Sequence, residues 1–176
     1  THFDHPDRTS REGKVNRINQ ETFYKNLKIF LEKISNIYQK PLIVAKHPSN
    51  RSVNKFYDSF EISKIPTNEA IYDSEIVVFT VSSAILNAVL LKKKIINITS
   101  MLLGGYLQNM NRQYVKSLGL VSFDIDKDIF LEKKSLNLKL ENSIKNYNKY
   151  INNKLILDDD KSPSKKIPDF IYKKIF

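Results

Sequence analysis

The chain has 176 residues, a formal net charge of +10, and neither cysteine nor tryptophan. Its length suits one domain with a sizeable hydrophobic core, and the lack of cysteine excludes a disulfide framework and thiolate metal sites. No apolar run in the sequence approaches the ~20 residues that are needed to span a bilayer.

Helices and strands are predicted to alternate along most of the chain. Helices are indicated where apolar residues recur at three- and four-residue steps, and buried strands where short apolar runs end in polar turns. In chain order, the predicted elements are a helix over 21–38, a strand over 41–45, a short helix within 51–60, a strand over 60–65, a helix over 68–74, a strand over 75–80, a helix over 84–91, a strand over 95–99, a helix over 106–118 closed by Gly119, a strand over 121–125 and a helix from 135 to about 153.

This alternation predicts an α/β fold with a doubly wound, mainly parallel, Rossmann-like sheet and helices on both of its faces. The continuous apolar run 41–45 is typical of a strand buried on both faces, and the helix over 84–91 is apolar almost all round, which predicts an interior position. We expect an N-terminal loop and linker over 1–20, the Rossmann-like domain over 21–157, and a charged linker with an amphipathic tail over 158–176. A chain that begins at Thr1 rather than Met is expected to be a piece of a longer protein.

Two strand ends carry unusual residues, and ligands of doubly wound sheets bind outside the carboxyl ends of the strands. His47 and Pro48 follow the first predicted strand, and the turn from Thr80 through Ser82 and Ser83 joins a strand to a helix. Free amides at a helix start, together with the two serine hydroxyls, can form an anion site; two serines that only cap the helix are the alternative. The His47 imidazole either donates a hydrogen bond to a phosphate or ribose hydroxyl or is simply solvated.

Other residues carry weaker signals. Thr67 is predicted to cap the 68–74 helix, with Glu69 near the positive end of the helix dipole. The pair Gly104-Gly105 predicts a turn that leads into a helix. A polar cluster near the start of the chain contains residue types that ligate metals, but its spacing fits no metal motif, so a loop over a cleft is the favoured interpretation and no metal site is predicted. This cluster consists of His2, Asp4, His5 and Asp7.

The order of the two strand-end motifs is specific. A strand that ends in His47-Pro48 is followed, about one βα unit later, by a strand that ends in Ser82-Ser83 and an apolar helix. This order resembles the C-terminal half of GT-B glycosyltransferases, and the nearest groups are the sialyltransferase-like, capsule Kdo-transferase-like and CDP-glycerol-transferase-like enzymes of bacterial surface polysaccharides. The similarity covers roughly residues 3–120, and residues 3–7 are similar to the segment that enters the second domain in surface-carbohydrate biosynthesis proteins.

The resemblance implies a donor-binding domain for a nucleotide sugar, with CMP or CDP as the activating group, in bacterial surface polysaccharide biosynthesis. His47 would stabilise the leaving group, and neither a cofactor nor a metal ion is implied. The chain departs from the pattern at residues 92–94, where Lys-Lys-Lys replaces the common Gly-Lys-Pro. The acidic motif that supplies a catalytic base belongs to the N-terminal domain of such enzymes, so no base is assigned to this chain. The implied donor contacts are His47, Pro48, Thr67, Glu69, Thr80, Ser82 and Ser83.

The implied partners are the nucleotide-sugar donor, a saccharide or lipid-linked acceptor, and the N-terminal domain of the same protein. The implied location is the cytoplasm, with peripheral contact at the inner face of its membrane. Nucleic acid is not expected, because lysine rather than clustered arginine supplies the charge. The net charge fits either a solvated lysine surface or a basic face toward an anionic membrane or a phosphorylated substrate.

Three other functions remain as alternatives. A non-catalytic scaffold or regulatory domain of the same fold is kept open by the departure at residues 92–94. A sugar-nucleotide epimerase of similar double-Rossmann build would differ in needing no acceptor. A nucleic-acid-binding module follows from the charge alone, and its binding would be strongly salt-dependent.

Overall fold

The computed structural model describes residues 17–45, 60–127 and 131–152. Within these ranges, helices and short strands alternate as the sequence predicts. The helices are α1 Arg17–Tyr38, α2 Thr67–Asp73, α3 Ile85–Leu90, α4 Gly105–Leu118 and α5 Lys133–Tyr150, with a 3-10 turn at Met101–Leu103. The strands are β1 Ile43–Val44, β2 Glu61–Ile62, β3 Ile76–Phe79, β4 Lys94–Thr99 and β5 Val121–Asp124.

All described strand pairs are parallel. β1 pairs with β2 in a two-stranded sheet, and β4 lies between β3 and β5 in a three-stranded sheet. Ile76 is in register with Lys94, and Ile96 is in register with Val121. Parallel neighbours require crossover connections, which α3 and α4 supply. The predicted α/β fold with a parallel, Rossmann-like sheet is therefore confirmed.

The three-stranded sheet carries a hydrophobic core on each face because alternate residues of β4 point in opposite directions. On one face, Ile96 and Ile98 belong to a cluster with buried residues of α1. On the other face, Ile95 belongs to a cluster with buried residues of α2, α3 and α4. Helix α5 contributes to both clusters, through Leu140 to the first and Tyr147 to the second. Helices thus cover both faces, as predicted.

The apolar strands differ in burial. Within β4, the segment 95–98 is buried on both faces, with each side chain at most 3% exposed. The same prediction for 41–45 is wrong at Ile43, whose side chain is 54% exposed. A run of apolar residues shows that a strand can be buried, but burial also needs elements that cover both faces, and no described element covers this side chain.

The fully interior position predicted for the 84–91 helix is also wrong. Ile85, Ala88 and Val89 are buried, whereas Leu90 and Leu91 are 53% and 40% exposed. The buried residues form one stripe, so α3 packs through a single face although its opposite face is also apolar.

Helix α1 begins at Arg17, so the last four residues of the predicted N-terminal loop are helical.

Three described helices are followed by a residue in the left-handed conformation, and the first of these residues is Gln39 after α1, with a φ of +54°. Gly119 closes α4 with a φ of +60°, as its position after the last apolar turn predicts. Lys92 follows α3 with a φ of +52°, its N–H donating to the Val89 carbonyl at 3.0 Å. The Lys93 N–H donates to the Ala88 carbonyl at 2.9 Å. This pair of hydrogen bonds is a Schellman motif, in which the left-handed position usually holds glycine.

Lys93 also joins α3 to the end of α2. Its Nζ donates to the backbone carbonyls of Tyr72 and Ser74, the second at 2.8 Å, and lies 5.6 Å from the centre of the Tyr72 ring. A cation at this position compensates the negative end of the α2 dipole.

None of the described helices has both the length and the apolar composition that a membrane span needs. The helix predicted within 51–60 (apart from Phe60) and the tail over 158–176 lie outside the described residues.

Candidate functional site

The carboxyl ends of β3, β4 and β5 form one edge of the sheet because the three strands are parallel. The turn from Thr80 to Ser83 follows β3, Ser100 follows β4, and Asp126 lies two residues after the end of β5. The C-terminal end of α2 leads into the amino end of β3, at the opposite edge of the sheet. The first turn of α2 therefore lies toward the carboxyl edge. The edge therefore carries every described residue that the sequence predicts as a donor contact.

Ser82 and Ser83 are exposed in the turn before α3. The Ser82 hydroxyl accepts a hydrogen bond from the Ala84 N–H at 3.3 Å, which leaves the hydroxyl proton free for donation. Within the described residues, the Ser83 hydroxyl makes no hydrogen bond. Neither serine is the cap of α3: Ala84 holds that position, and no side chain caps the helix. The two hydroxyls thus remain accessible to a ligand.

The backbone amides that were expected to join the anion site are occupied. The N–H groups of Ile85 and Leu86 donate to the carbonyls of Ser82 and Ser83, each at 3.2 Å, and the Asn87 N–H donates to the Ala84 carbonyl. These contacts tighten the start of α3 into a 3-10 turn. Helix α3 has only six residues, so its N-terminus adds little, and an anion would depend on the serine hydroxyls.

The predicted cap at Thr67 is wrong. Helix α2 begins at Thr67, and Pro66 holds the cap position with φ −54° and ψ 149°. The Pro66 carbonyl accepts the Ala70 N–H at 3.0 Å, and no side chain caps the helix. Proline fits here because its fixed φ suits a helix start and because it has no backbone N–H that would need a hydrogen-bond acceptor. Glu69 lies in the first turn, as predicted, and its side chain is exposed.

A hydrogen bond between two asparagines brings the starts of α2 and α3 together. The Asn87 side-chain amide donates to the Asn68 side-chain oxygen over 2.6 Å. Asn68 lies between Thr67 and Glu69, and Asn87 is one helical turn after Ser83. The hydrogen bond therefore connects the helix start that carries Thr67 and Glu69 with the helix start that follows the Ser82–Ser83 turn.

A buried network lies under the same turn. Asn97, in the middle of β4, is completely buried, and its side-chain amide donates to the Thr80 carbonyl at 3.1 Å. The amide also donates to the side-chain oxygen of Asn111 on α4 over 2.5 Å, and the Asn97 oxygen accepts from the Ser122 hydroxyl of β5 at 2.7 Å. Asn111 in turn donates to the Ile98 carbonyl at 3.1 Å. We call the side chains of Asn97, Asn111 and Ser122 the amide network.

A second polar cluster lies where β4 and β5 end. Asp126 accepts hydrogen bonds from the Ser100 hydroxyl at 2.8 and 2.9 Å, from the Met101 N–H at 2.7 Å and from the Asn26 side chain at 3.3 Å. These donors already occupy the carboxylate, which ties the 3-10 turn to α1. A cleft of about 220 Å³ beside it is lined by Asn26, Ile29, Phe30, Lys33, Ile125, Asp126 and Lys127.

A second, larger cleft lies elsewhere. Its volume is about 410 Å³, and it runs between α1 and the strands β1 and β2. Among the described residues, none of the predicted donor contacts lines it. Its lining residues are Leu31, Glu32, Ser35, Asn36, Leu42, Phe60 and Glu61.

His47, Pro48 and the cluster formed by His2, Asp4, His5 and Asp7 lie outside the described residues. Within the described ranges, no group of three histidine, aspartate or glutamate side chains could hold a metal ion.

The asparagines at this edge are the residues that sequence reasoning missed. Asn97 gave a signal, because a polar residue between Ile96 and Ile98 must find partners if the strand is buried on both faces. Asn68, Asn87 and Asn111 gave none, since each occupies a helix position where an exposed polar residue is ordinary.

No protein-family model, no curated protein and no solved structure matches this chain.

Proposed function

We propose that the chain is the donor-binding domain of a GT-B-type glycosyltransferase that builds bacterial surface polysaccharide from a nucleotide sugar. The observation that carries the proposal is the pair of exposed hydroxyls at Ser82 and Ser83, in the turn directly after a strand of a parallel sheet. Such turns are where doubly wound sheets hold their ligands. The neighbouring start of α2, joined by the hydrogen bond between Asn68 and Asn87, gives the same edge further polar groups for a ribose or base.

In this proposal, the donor phosphate accepts hydrogen bonds from the Ser82 and Ser83 hydroxyls. During transfer, the bond between the sugar carbon and the phosphate oxygen breaks, and the nucleotide leaves with the electron pair. A hydroxyl of the saccharide or lipid-linked acceptor forms the new bond and loses its proton to a base outside this chain. Donors that contact the phosphate stabilise the charge as it develops on the leaving group. By the resemblance, His47 would supply a further donor.

The departure at Lys92 leaves the backbone geometry compatible with this proposal. Its φ of +52° is the left-handed conformation for which glycine is the common choice at this position. A lysine in place of glycine therefore affects stability rather than the path of the chain. The N-terminal domain, the acceptor and peripheral contact with the inner face of the cytoplasmic membrane are parts of the same proposal.

Calorimetric titration of the chain with CMP, CDP, UDP and GDP tests the proposal. We expect one cytidine nucleotide to bind, and Ser83→Ala to weaken that binding by about 10-fold or more, as the loss of one hydrogen bond to a charged group predicts. Ser82→Ala should act in the same direction.

Ser117→Ala is the matched control, because Ser117 is an exposed serine in the last turn of α4, toward the opposite edge of the sheet. This substitution should leave the affinity unchanged. Absence of binding to all four nucleotides, or equal affinity in the Ser83 variant, would contradict the proposal and favour the non-catalytic scaffold.

A further inference from the structure

The hydrogen bonds between β3 and β4 end just before the proposed phosphate turn. The last residues in register are Phe79 and Asn97, so the Thr80 carbonyl lies just beyond the paired residues. The Asn97 side chain reaches this carbonyl at 3.1 Å and lies 3.5 Å from the carbonyl of Phe79. A side chain from the middle of the sheet thus holds the chain where the turn begins.

The position of Asn97 is itself fixed from two sides. The Ser122 hydroxyl of β5 donates to its oxygen, and the Asn111 oxygen of α4 accepts from its amide. Asn97 and Asn111 are at most 2% exposed, so their amide groups have no access to water and are costly to leave unpaired. Satisfied networks of this kind hold one geometry because every alternative loses a buried hydrogen bond.

We infer that Asn97 is a positioning residue for the proposed donor site, where it fixes the Thr80–Ser83 turn through the Thr80 carbonyl without touching the ligand. This inference rests on the proposed function only for the identity of the ligand. The mechanical part, that the Asn97 side chain sets the geometry of the turn, stands on the hydrogen bonds alone. Phosphate affinity at Ser82 and Ser83 would then depend on a residue in the middle of the neighbouring strand.

Two variants of the full chain test the inference, and both are measured by amide hydrogen exchange and by titration with CMP, CDP, UDP and GDP. Asn97→Ala removes the contact with Thr80. The double variant Asn97→Leu/Asn111→Leu replaces both buried amides by apolar side chains of similar size, which preserves the fold far better than a single unpaired amide. Ser122→Ala is the control, because it removes a network hydrogen bond but leaves the one between Asn97 and Thr80 in place.

The amides of residues 84–86 donate to Ser82 and Ser83, so their exchange reports the geometry of the turn. In both Asn97 variants, we expect these amides to exchange about 10-fold faster, while the amides of residues 95 and 96 follow only the change in global stability. Affinity for the nucleotide that the unmodified chain binds best should fall by about 10-fold. Ser122→Ala should change global stability without either effect, because Asn111 still holds the Asn97 amide in contact with Thr80.

Unchanged exchange at residues 84–86 in the double variant would overturn the inference, as would faster exchange without a loss of affinity in a chain that binds nucleotide. If the unmodified chain binds none of the four nucleotides, the proposed function fails, and the exchange measurement still decides whether Asn97 fixes the turn.

Discussion

Two fully buried polar side chains differ in how their hydrogen-bonding groups are satisfied. The side-chain amide and oxygen of Asn97 all have partners, which makes its place inside an apolar strand tolerable. The Tyr147 hydroxyl, on α5, is buried and has no hydrogen-bond partner within the described residues. Burial raises the pKa of this hydroxyl above its usual range because the ionised form would be desolvated. The ring of Tyr147 therefore stabilises the core while its hydroxyl works against it.

We predict that Tyr147→Phe raises the free energy of unfolding by about 1 kcal/mol, because it removes an unsatisfied buried hydroxyl and keeps the ring. Urea denaturation measures the change. Tyr38→Phe is the matched control: the Tyr38 hydroxyl donates to the Asn137 side-chain oxygen at 2.9 Å, and its loss should lower stability by about 1 kcal/mol. A destabilised Tyr147 variant would show that the hydroxyl has a partner, such as an ordered water.

At the scale of helices and strands, the ends of α3 and α4 show the same backbone conformation in two different residues. Gly119 adopts a positive φ at little cost, and an added Cβ would lie only 2.5 Å from the Asn146 side chain. Lys92 adopts nearly the same φ with a Cβ present, which costs about 1 kcal/mol in an L residue. The Schellman hydrogen bonds of α3 outweigh this cost.

Lys92→Gly should therefore stabilise the protein by about 0.5–1 kcal/mol, since the relief of strain exceeds the extra entropy that glycine brings to the unfolded chain. Lys92→Ala is the control, because it removes the charge and keeps the Cβ, and it should give no gain. Thermal and urea unfolding of the three proteins give the comparison. Equal stabilisation by both substitutions would assign the effect to the charge of Lys92 instead.

The order and type of the described elements were predictable because they follow from the spacing of apolar residues. The segment 95–98 is a buried strand, and Gly119 ends a helix, as their local patterns indicate. The exposure of Ile43 was not predictable, since it depends on which elements lie over the strand. The N-cap propensity of threonine predicts Thr67 as the cap of α2, but Thr67 is the first helical residue and Pro66 holds the cap position.

For the candidate site, the sequence predicted where Ser82 and Ser83 lie but not what surrounds them. The strand end and the exposed hydroxyls follow from local pattern. The occupied amides of Ile85 and Leu86 depend on a 3-10 start to α3, which the sequence does not distinguish from an ordinary helix start. The contacts of Asn97 with α4 and β5 join residues distant in the chain, and no local pattern encodes such partners.

For the whole molecule, the net charge of +10 is a source of self-repulsion. Two of the described ion pairs have only exposed side chains and contribute little against it: Lys40 lies 3.8 Å from Glu75, and Lys28 lies 3.9 Å from Glu32. Lysines are spread over α1 and α5 rather than gathered at the carboxyl edge of the sheet. The charge therefore acts on the folded state as a whole more than on the candidate site.

Salt should consequently stabilise the chain. We predict that raising sodium chloride from ~20 to ~300 mM increases the free energy of unfolding by about 1 kcal/mol, because screening at these concentrations shortens the range of repulsion to about 10 Å or less. Urea denaturation, which leaves ionic strength unchanged, is the suitable measurement. Potassium chloride at equal ionic strength should have the same effect. A fall in stability with salt would mean that attractive pairs outweigh the net repulsion.

The central position of β4 also determines the order in which the molecule can assemble. Neither neighbour of β4 is reached by a hairpin, so each ladder forms only after a helix has crossed over the sheet, and such non-local pairing is slow. Asn97 takes its partners from the end of β3, from α4 and from β5, so its hydrogen bonds are complete only when all three have docked. The turn that carries Ser82 and Ser83 thus reaches its final shape late in folding, and partly folded chains would lack a competent site.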